Sequence, residues 1–321
     1  MAFRSKAKSQ DSRAVCHYAA CVLKYRLITG PLLILLLLGV VVLDNWLDGV
    51  VLTGYWRDLF NGKEHPPRGL ALFALAAFVA APLAAWELTM ISRAQGIAAR
   101  GSLNAVAAML GVVLSYSIPI GTDTITSIAI LSTGMVLVFV ASLLTFSQNK
   151  NVQGVVASAG AVMFAMVYIG LMMGFFLALR RSHSSWWIVG IILTTKMCDS
   201  GAYFTGRAIG RHKLIPWLSP GKTWEGLAGG VVTSTLAGML CAWLSQQFLS
   251  PEDHVSVTLG AIWGLIFGLV GQFGDLMKSL LKRGAGIKDS SALLPGLGGV
   301  LDVLDSPLMV APVAYWLVAL K

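Results

Sequence analysis

Six charged residues lie close together near the end of the chain, between two segments that are apolar enough to span a bilayer. The six are Lys282, Arg283, Lys288, Asp289, Asp302 and Asp305. Charge at a membrane boundary is costly, so a cluster of both signs there points to a function. Cations bind phosphates, and spaced carboxylates bind divalent metal ions. The cluster therefore predicts phosphoryl-group chemistry at a membrane surface.

The spacing within this region predicts two rows of side chains that face each other across a loop. Asp275, Ser279 and Lys282 fall at i, i+4 and i+7, on one face of a helix. Asp302 and Asp305 fall at i and i+3 at the start of the next helix. The glycine-rich loop between them can turn tightly and approach a ligand closely, and the helix start adds N–H donors for an anion. The alternative is a salt-bridge network that fixes the loop.

A second charged segment, residues 198–226, carries further candidates for the same site. Asp199 and Tyr203 share a helix face at i and i+4, and Lys222 adds a cation. The GKT triplet around Lys222 is not a P-loop, because Pro216 stands where the first glycine is required and no strand is predicted before it. The two segments together predict one site built from carboxylates and cations.

The elements that position these residues are predicted from the composition, which is that of a membrane protein. The 321 residues are 56% hydrophobic and 12% charged, and soluble domains carry about twice that share of charged residues. Most of the apolar runs meet the length of a spanning helix. They lie at 27–43, 70–86, 103–119, 125–146, 153–179, 186–198, 227–249, 257–277 and 300–320. The sequence therefore predicts an all-α polytopic integral membrane protein with about nine transmembrane helices.

The distribution of charge predicts the orientation and the division of the chain. Lysines and arginines concentrate in a leader and in alternate loops, which places the N-terminus and both charged segments in the cytoplasm. The adjacent arginines 180 and 181 do not fit this pattern, and Glu87 is interpreted as a boundary residue that faces water. Six of the 15 acidic residues fall late in the chain, in predicted cytoplasmic loops or at the helix ends beside them. We predict a basic cytoplasmic leader at 1–26, a transmembrane scaffold at 27–185 and a transmembrane catalytic region at 186–321.

The two charged segments resemble the phosphatidate cytidylyltransferases, also called CDP-diacylglycerol synthases. The C-terminal pattern of that family is Ser-x-apolar-Lys-Arg, four residues, Lys-Asp, then Pro-x-His-Gly-Gly and Asp-Arg-x-Asp. The chain matches it at Ser279, Lys282, Arg283, Lys288, Asp289, Pro295, Gly298, Gly299, Asp302 and Asp305. The stretches DSGAYFTGRAIGRHKL and SPGKTWEGLAGG are similar to internal motifs of the family. Two positions depart from the pattern, since Leu297 replaces the histidine and Val303 the arginine.

The resemblance implies a nucleotidyltransferase of phospholipid biosynthesis, which condenses CTP with phosphatidate to give CDP-diacylglycerol and pyrophosphate. Two divalent ions, Mg²⁺ or another, are expected on Asp199, Asp275, Asp302 and Asp305. The catalytic residues are expected to be Lys282, Arg283, Lys288 and Asp289. Substrate contacts are assigned to Ser279, Lys222, Tyr203, Gly298 and Gly299.

Three alternatives stay open at this point. The chain could be a CTP-dependent lipid-alcohol or polyprenol kinase, a transporter that uses the charged face as a polar pathway, or a relative inactivated through Leu297 and Val303. The expected partners are CTP, phosphatidate and membrane lipids but no nucleic acid, and a homodimer is left open. The active site is expected on the cytoplasmic face of a membrane, such as a bacterial inner membrane.

Overall fold

The computed structural model describes residues 28–60, 63–119, 121–148, 153–287, 291 and 293–321. The predicted leader lies outside these residues, as do Lys288 and Asp289. Ten α-helices are found in the described part. They are α1 Ile28–Asp48, α2 Tyr55–Leu59, α3 Leu70–Ala94, α4 Gly101–Ser117, α5 Thr124–Ser147, α6 Val155–Ser182, α7 Trp186–Ile209, α8 Trp224–Phe248, α9 Val257–Gly284 and α10 Val300–Ala319.

The predicted class, an all-α polytopic membrane protein, is confirmed. Each of the nine apolar runs overlaps one helix of the described chain over most of its length, and seven of these helices are long and apolar enough to cross a membrane. The other two are α4, which is shorter, and α7, which carries Lys196 and Asp199 near its middle. The count of nine spans therefore stays a prediction.

A small β-hairpin connects α7 to α8, in a segment for which the sequence predicted no strand. Strands β1 (Lys213–Ile215) and β2 (Ser219–Thr223) pair antiparallel. The GKT triplet lies within β2, so it does not form the loop between strand and helix that a P-loop requires. The Thr223 hydroxyl then caps α8 by accepting the Gly226 N–H at 3.1 Å. The hairpin thus delivers Lys222 directly to the start of α8.

Glycines bring α7, α8 and α9 into backbone contact. A Cβ atom added to Gly230 of α8 would lie 2.8 Å from the Cys198 carbonyl oxygen of α7. A Cβ on Gly264 of α9 would lie 2.9 Å from the Thr235 Cα of α8. Such small-residue contacts let helices approach closely in lipid. The helices that carry Asp199 and Asp275, and the helix that follows Lys222, are therefore held in one tightly packed group.

Polar contacts separate the molecule into two ends, which we call the hairpin end and the far end. At the far end Arg180 of α6 is 1% exposed and forms ion pairs with Asp44 and Asp48 of α1. Asp44 also accepts the N–H groups of Ala71 and Leu72 at the start of α3. This group of three side chains, the Arg180 cluster, explains one of the two arginines that did not fit the charge pattern.

Candidate active site

Seven side chains at the hairpin end form a closed ring that joins α7, β2, α9 and α10. Going around it, they are Lys196, Asp199, Gln272, Lys222, Asp275, Lys278 and Asp305. We call this group the lysine–aspartate ring. It unites residues from both charged segments of the sequence.

One half of the ring connects α9 to β2 and α7. The Lys222 Nζ lies 2.8 Å from Asp275 Oδ2 and 2.9 Å from Gln272 Oε1. The amide of Gln272 in turn donates to Asp199 Oδ1 at 3.0 Å. The other oxygen of Asp199 lies 3.3 Å from Lys196 Nζ, one helical turn earlier. Gln272 thus orients a lysine and an aspartate at the same time.

The other half of the ring is centred on the ammonium group of Lys278. Its Nζ lies 2.9 Å from Asp275 Oδ1 and 3.6 Å from Asp302 Oδ1, and it also pairs with Asp305. Asp305 is nearly buried and contacts Lys196 at 3.5 Å, which closes the ring. Three carboxylates from two helices therefore converge on one cation.

Asp302 links the ring to Lys282, one of the predicted catalytic residues. The Lys282 Nζ lies 2.5 Å from Asp302 Oδ1. The second oxygen of Asp302 accepts the Gly299 N–H at 3.0 Å, which caps α10. Both ends of this pair are largely buried. Asp302 therefore holds a lysine and the start of its own helix together.

Among the described residues, the lysine–aspartate ring together with Asp302 and Lys282 carries equal numbers of positive and negative charges. Four lysine ammonium groups face four aspartate carboxylates, and most of these groups contact more than one partner. Because the pairings are shared, an arriving phosphate can take over a lysine contact without leaving a carboxylate unpaired. This arrangement suits a site that exchanges ionic partners.

A cavity of about 860 Å³ opens beside the ring, between α7, the hairpin, α8 and α9. Asp199, Lys222 and Asp275 line it, together with Tyr203 and Gln272. The volume lies within the range of small-molecule sites. Polar groups from α7, the hairpin and α9 thus converge on a space of the size that a nucleotide requires.

The carboxylates at the cavity have the chemistry that a divalent ion requires, but not a complete cage. Among the residues that the structure describes, no three His, Cys, Asp or Glu side chains are arranged to hold a metal ion. Asp199 and Asp275 both face the cavity. Magnesium is commonly bound by one or two carboxylates together with substrate phosphates. These two residues fit an ion that is completed by the nucleotide, whereas Asp302 and Asp305 do not line the cavity.

The remaining predicted site residues surround this arrangement. Ser279 lies half-buried on α9, one turn after Asp275. The exposed Arg283 donates its Nε to the Leu218 carbonyl of the hairpin at 3.4 Å. Gly298 has a φ of +90°, a conformation that favours glycine. Their predicted catalytic and substrate roles stay predictions, as do those of Lys288 and Asp289, which lie outside the described residues.

Glu87 of α3 is a functional candidate that the sequence interpretation placed wrongly. It was expected to face water, but it is 0% exposed. Its two oxygens accept the N–H groups of Val300 at 2.7 Å and Leu301 at 2.9 Å, and the hydroxyl of Ser291 at 2.8 Å. Gly299 leaves room for this carboxylate, because a Cβ there would overlap it. Glu87 therefore fixes the start of the helix that carries Asp302 and Asp305.

Leu297 and Val303, which replace the histidine and the arginine of the family pattern, are both half-buried. Leu297 is half-buried in the turn before α10, where its N–H donates to the Leu294 carbonyl at 3.0 Å. Val303 is half-buried in the first turn of α10. Neither side chain can bind a phosphate, so the cations near the cavity must serve without them.

Comparisons with known proteins agree with the motifs. The sequence model of the cytidylyltransferase family matches residues 67–321, which begins well before the charged segments. A phosphatidate cytidylyltransferase of Bacillus subtilis (strain 168) is 37% identical over 163 residues, which cover 50% of this chain and 58% of that protein. One from Haemophilus influenzae is 39% identical over 124 residues, 39% of this chain and 42% of the relative. The chain spans about half the length of the curated relatives it matches.

Proposed function

The chain belongs to the cytidylyltransferase family, and on that premise we propose that it condenses CTP with phosphatidate to give CDP-diacylglycerol and pyrophosphate. The observation that carries the proposal is the cavity beside the lysine–aspartate ring, where Asp199, Lys222 and Asp275 meet. Asp199 and Lys222 come from segments that resemble internal motifs of the family, and Asp275 lies four residues before the C-terminal match begins at Ser279. The named relatives are phosphatidate cytidylyltransferases, which supports the choice of substrates.

The nucleophile in this reaction needs little activation. A phosphate monoester is already anionic near neutral pH, so its oxygen can attack the α-phosphorus of CTP without a strong general base. The barrier comes instead from the repulsion between two anions and from the requirement for in-line alignment. Positioning and electrostatic stabilisation are the effects that lower such a barrier. A site made of cations and carboxylates, with no histidine at the cavity among the described residues, suits this demand.

The side chains of the ring divide the work between substrate contact and positioning. Lys222 lines the cavity, and one of its N–H groups that donates to Asp275 can donate to a phosphate oxygen instead. Asp199 and Asp275 would hold a magnesium ion, which when bound neutralises phosphate charge. Lys278 and Asp305 lie behind them and keep the carboxylate of Asp275 in place. One or two ions are compatible with this set, and the number stays a prediction.

Labelled CTP tests the reaction. The purified protein, supplied with phosphatidate and CTP carrying ³²P at the α-position, is expected to produce a labelled lipid. The same experiment with label at the γ-position is expected to leave the lipid unlabelled and to release labelled pyrophosphate. Transfer of the γ-label to lipid would instead identify a CTP-dependent kinase. Absence of labelled lipid in both arms would contradict the proposal.

We also propose that the hairpin end faces the cytoplasm, where CTP is found. Cysteines introduced at Ser219 of the hairpin and, separately, at Ser250 of the far end test this in a chain whose native cysteines are replaced. An impermeant thiol reagent is expected to label Ser250→Cys in intact cells and Ser219→Cys only in inverted vesicles. The reverse pattern would contradict the proposed orientation. A homodimer stays a prediction.

A further inference from the structure

Arg207 is a cation at the cavity that takes no part in the ring. Of the described residues that line the cavity, two are cations, Lys222 and Arg207, and only Lys222 pairs with a carboxylate. Arg207 instead donates its Nη1 to the hydroxyl of Tyr203 at 3.1 Å, and both side chains are exposed. A guanidinium group carries five N–H donors. Most of its donors therefore remain available to a ligand.

The position of Arg207 along α7 sets it apart from the carboxylates. It lies two residues before the end of the helix at Ile209, next to the hairpin. Asp199 lies eight residues earlier, which corresponds to about 12 Å along the helix axis. The polar hairpin follows the apolar part of α7, so Arg207 is on the water side of Asp199. A ligand that contacts both residues must extend from the membrane side of the cavity towards water.

The proposed reaction, on which this inference rests, requires an extended arrangement of that kind. The bond from a phosphatidate oxygen to the α-phosphorus forms while the bond from that phosphorus to the bridging oxygen breaks. The electron pair of the broken bond goes to pyrophosphate. Attacking and leaving oxygens lie roughly in line, on opposite sides of the phosphorus. Since the lipid is anchored in the membrane, the leaving group points towards water, where Arg207 lies.

We propose that Arg207, oriented by Tyr203, binds the β- and γ-phosphates of CTP and then the pyrophosphate leaving group. The planar fork of an arginine forms paired hydrogen bonds with phosphate oxygens. The ring beside it is charge-balanced, so it supplies no surplus of positive charge for a triphosphate. Arg207 supplies such charge at the place where the leaving group accumulates it.

Pyrophosphate binding and substrate kinetics test this role in the purified full-length protein. Arg207→Gln is expected to weaken pyrophosphate binding by roughly ten- to a hundredfold, the range for hydrogen bonds to charged groups. Competitive inhibition of the reaction by pyrophosphate, measured against CTP, is expected to weaken by the same factor. The KM for phosphatidate is expected to stay unchanged. Tyr203→Phe keeps the aromatic side chain but loses the hydroxyl that accepts from Arg207, so a smaller effect in the same direction is expected. The matched control is Arg211→Gln, since Arg211 does not line the cavity.

The outcomes separate this inference from the proposed reaction. Unchanged pyrophosphate binding in Arg207→Gln, or a raised KM for phosphatidate alone, would overturn the inference and, in the second case, assign Arg207 to the lipid phosphate. Arg207→Lys, which keeps the charge but not the fork, provides the same comparison if the glutamine variant does not fold. A wild-type protein that binds pyrophosphate through Arg207 but makes no labelled lipid would contradict the proposed reaction only.

Discussion

The Arg180 cluster and the lysine–aspartate ring lie at opposite ends of the helices and use the same types of charge in different ways. In the cluster, Arg180 is 1% exposed and its carboxylate partner Asp44 also accepts two backbone N–H groups. In the ring, Lys278 contacts three carboxylates, and the Asp199 side chain is 34% exposed beside a cavity.

The difference shows how a structural ion pair can be told from a functional one. A buried charge whose partners are fixed stabilises the arrangement around it, and removing one partner is costly. A group of charges with shared partners next to an open cavity can exchange those partners for a ligand. We therefore expect substitutions in the ring to change turnover, and substitutions in the cluster to change stability.

The largest effect is expected for Asp275→Asn. The amide carries no charge, so it pairs weakly with Lys222 and Lys278 and is a poor ligand for a divalent ion. Turnover with CTP and phosphatidate is expected to fall by at least about a hundredfold, while the protein still inserts and purifies as a folded species. Asp58→Asn, an exposed residue of α2, is the control. Wild-type turnover in Asp275→Asn would mean that the ring is a structural salt-bridge network.

A large effect on stability, and little on chemistry, is expected for Arg180→Met. The substitution leaves the carboxylates of Asp44 and Asp48 without their buried partner, and the free energy of unfolding is expected to fall by about 3–5 kcal/mol. The turnover of the protein that remains folded is expected to match the wild type. Thermal unfolding in detergent and kcat measure the two properties, with Arg68→Gln, at an exposed residue, as the control. A fall in kcat at unchanged stability would remove the distinction between the two ends.

An intermediate effect is expected for Glu87→Gln. The variant keeps one acceptor oxygen but turns an amide group towards N–H donors at Val300 or Leu301. A cost of about 1–3 kcal/mol at this contact is expected to loosen the start of α10 and to lower turnover about tenfold. Hydrogen exchange is expected to become faster at those two amides in particular. A general loss of stability would instead raise exchange throughout the protein. Glu252→Gln at the exposed far end is the control; equal effects in both variants would contradict the role.

The smallest effect is expected for Leu297→His, which restores the residue of the family pattern. Lys222 and Arg207 at the cavity already provide N–H donors for phosphate oxygens, so turnover is expected to change little. A histidine that took part in phosphate contact would introduce a pH dependence near its ordinary pKa of about 6.5. Turnover against pH is compared for the wild type, Leu297→His and the double variant with Val303→Arg. An inactive wild type rescued by the double change would contradict the proposed reaction.

The helices could be predicted from the sequence because the length of an apolar run is a local property. Asp199, Lys222 and Asp275 were also predicted for one site, since their charge stands out in apolar surroundings. Gln272 carries no charge and gave no such signal, although it precedes Asp275 by one helical turn. The contact between Glu87 and Val300 spans 213 residues, and only the packing of α3 against α10 brings the two together. Tertiary contacts of this kind leave no pattern in a single sequence.

The glycine contacts between α8 and α9 have a mechanical consequence. Gly264 lies against the backbone of α8, whereas the neighbouring Leu265 and Leu269 are exposed. Successive helical residues are about 100° apart around the axis, so a turn of α9 by one residue would press a leucine side chain into that backbone. The contact at Gly264 therefore prevents α9 from rotating about its own axis against α8. The angular setting of Asp275 relative to Lys222 is fixed by residues that carry no charge and lie outside the cavity.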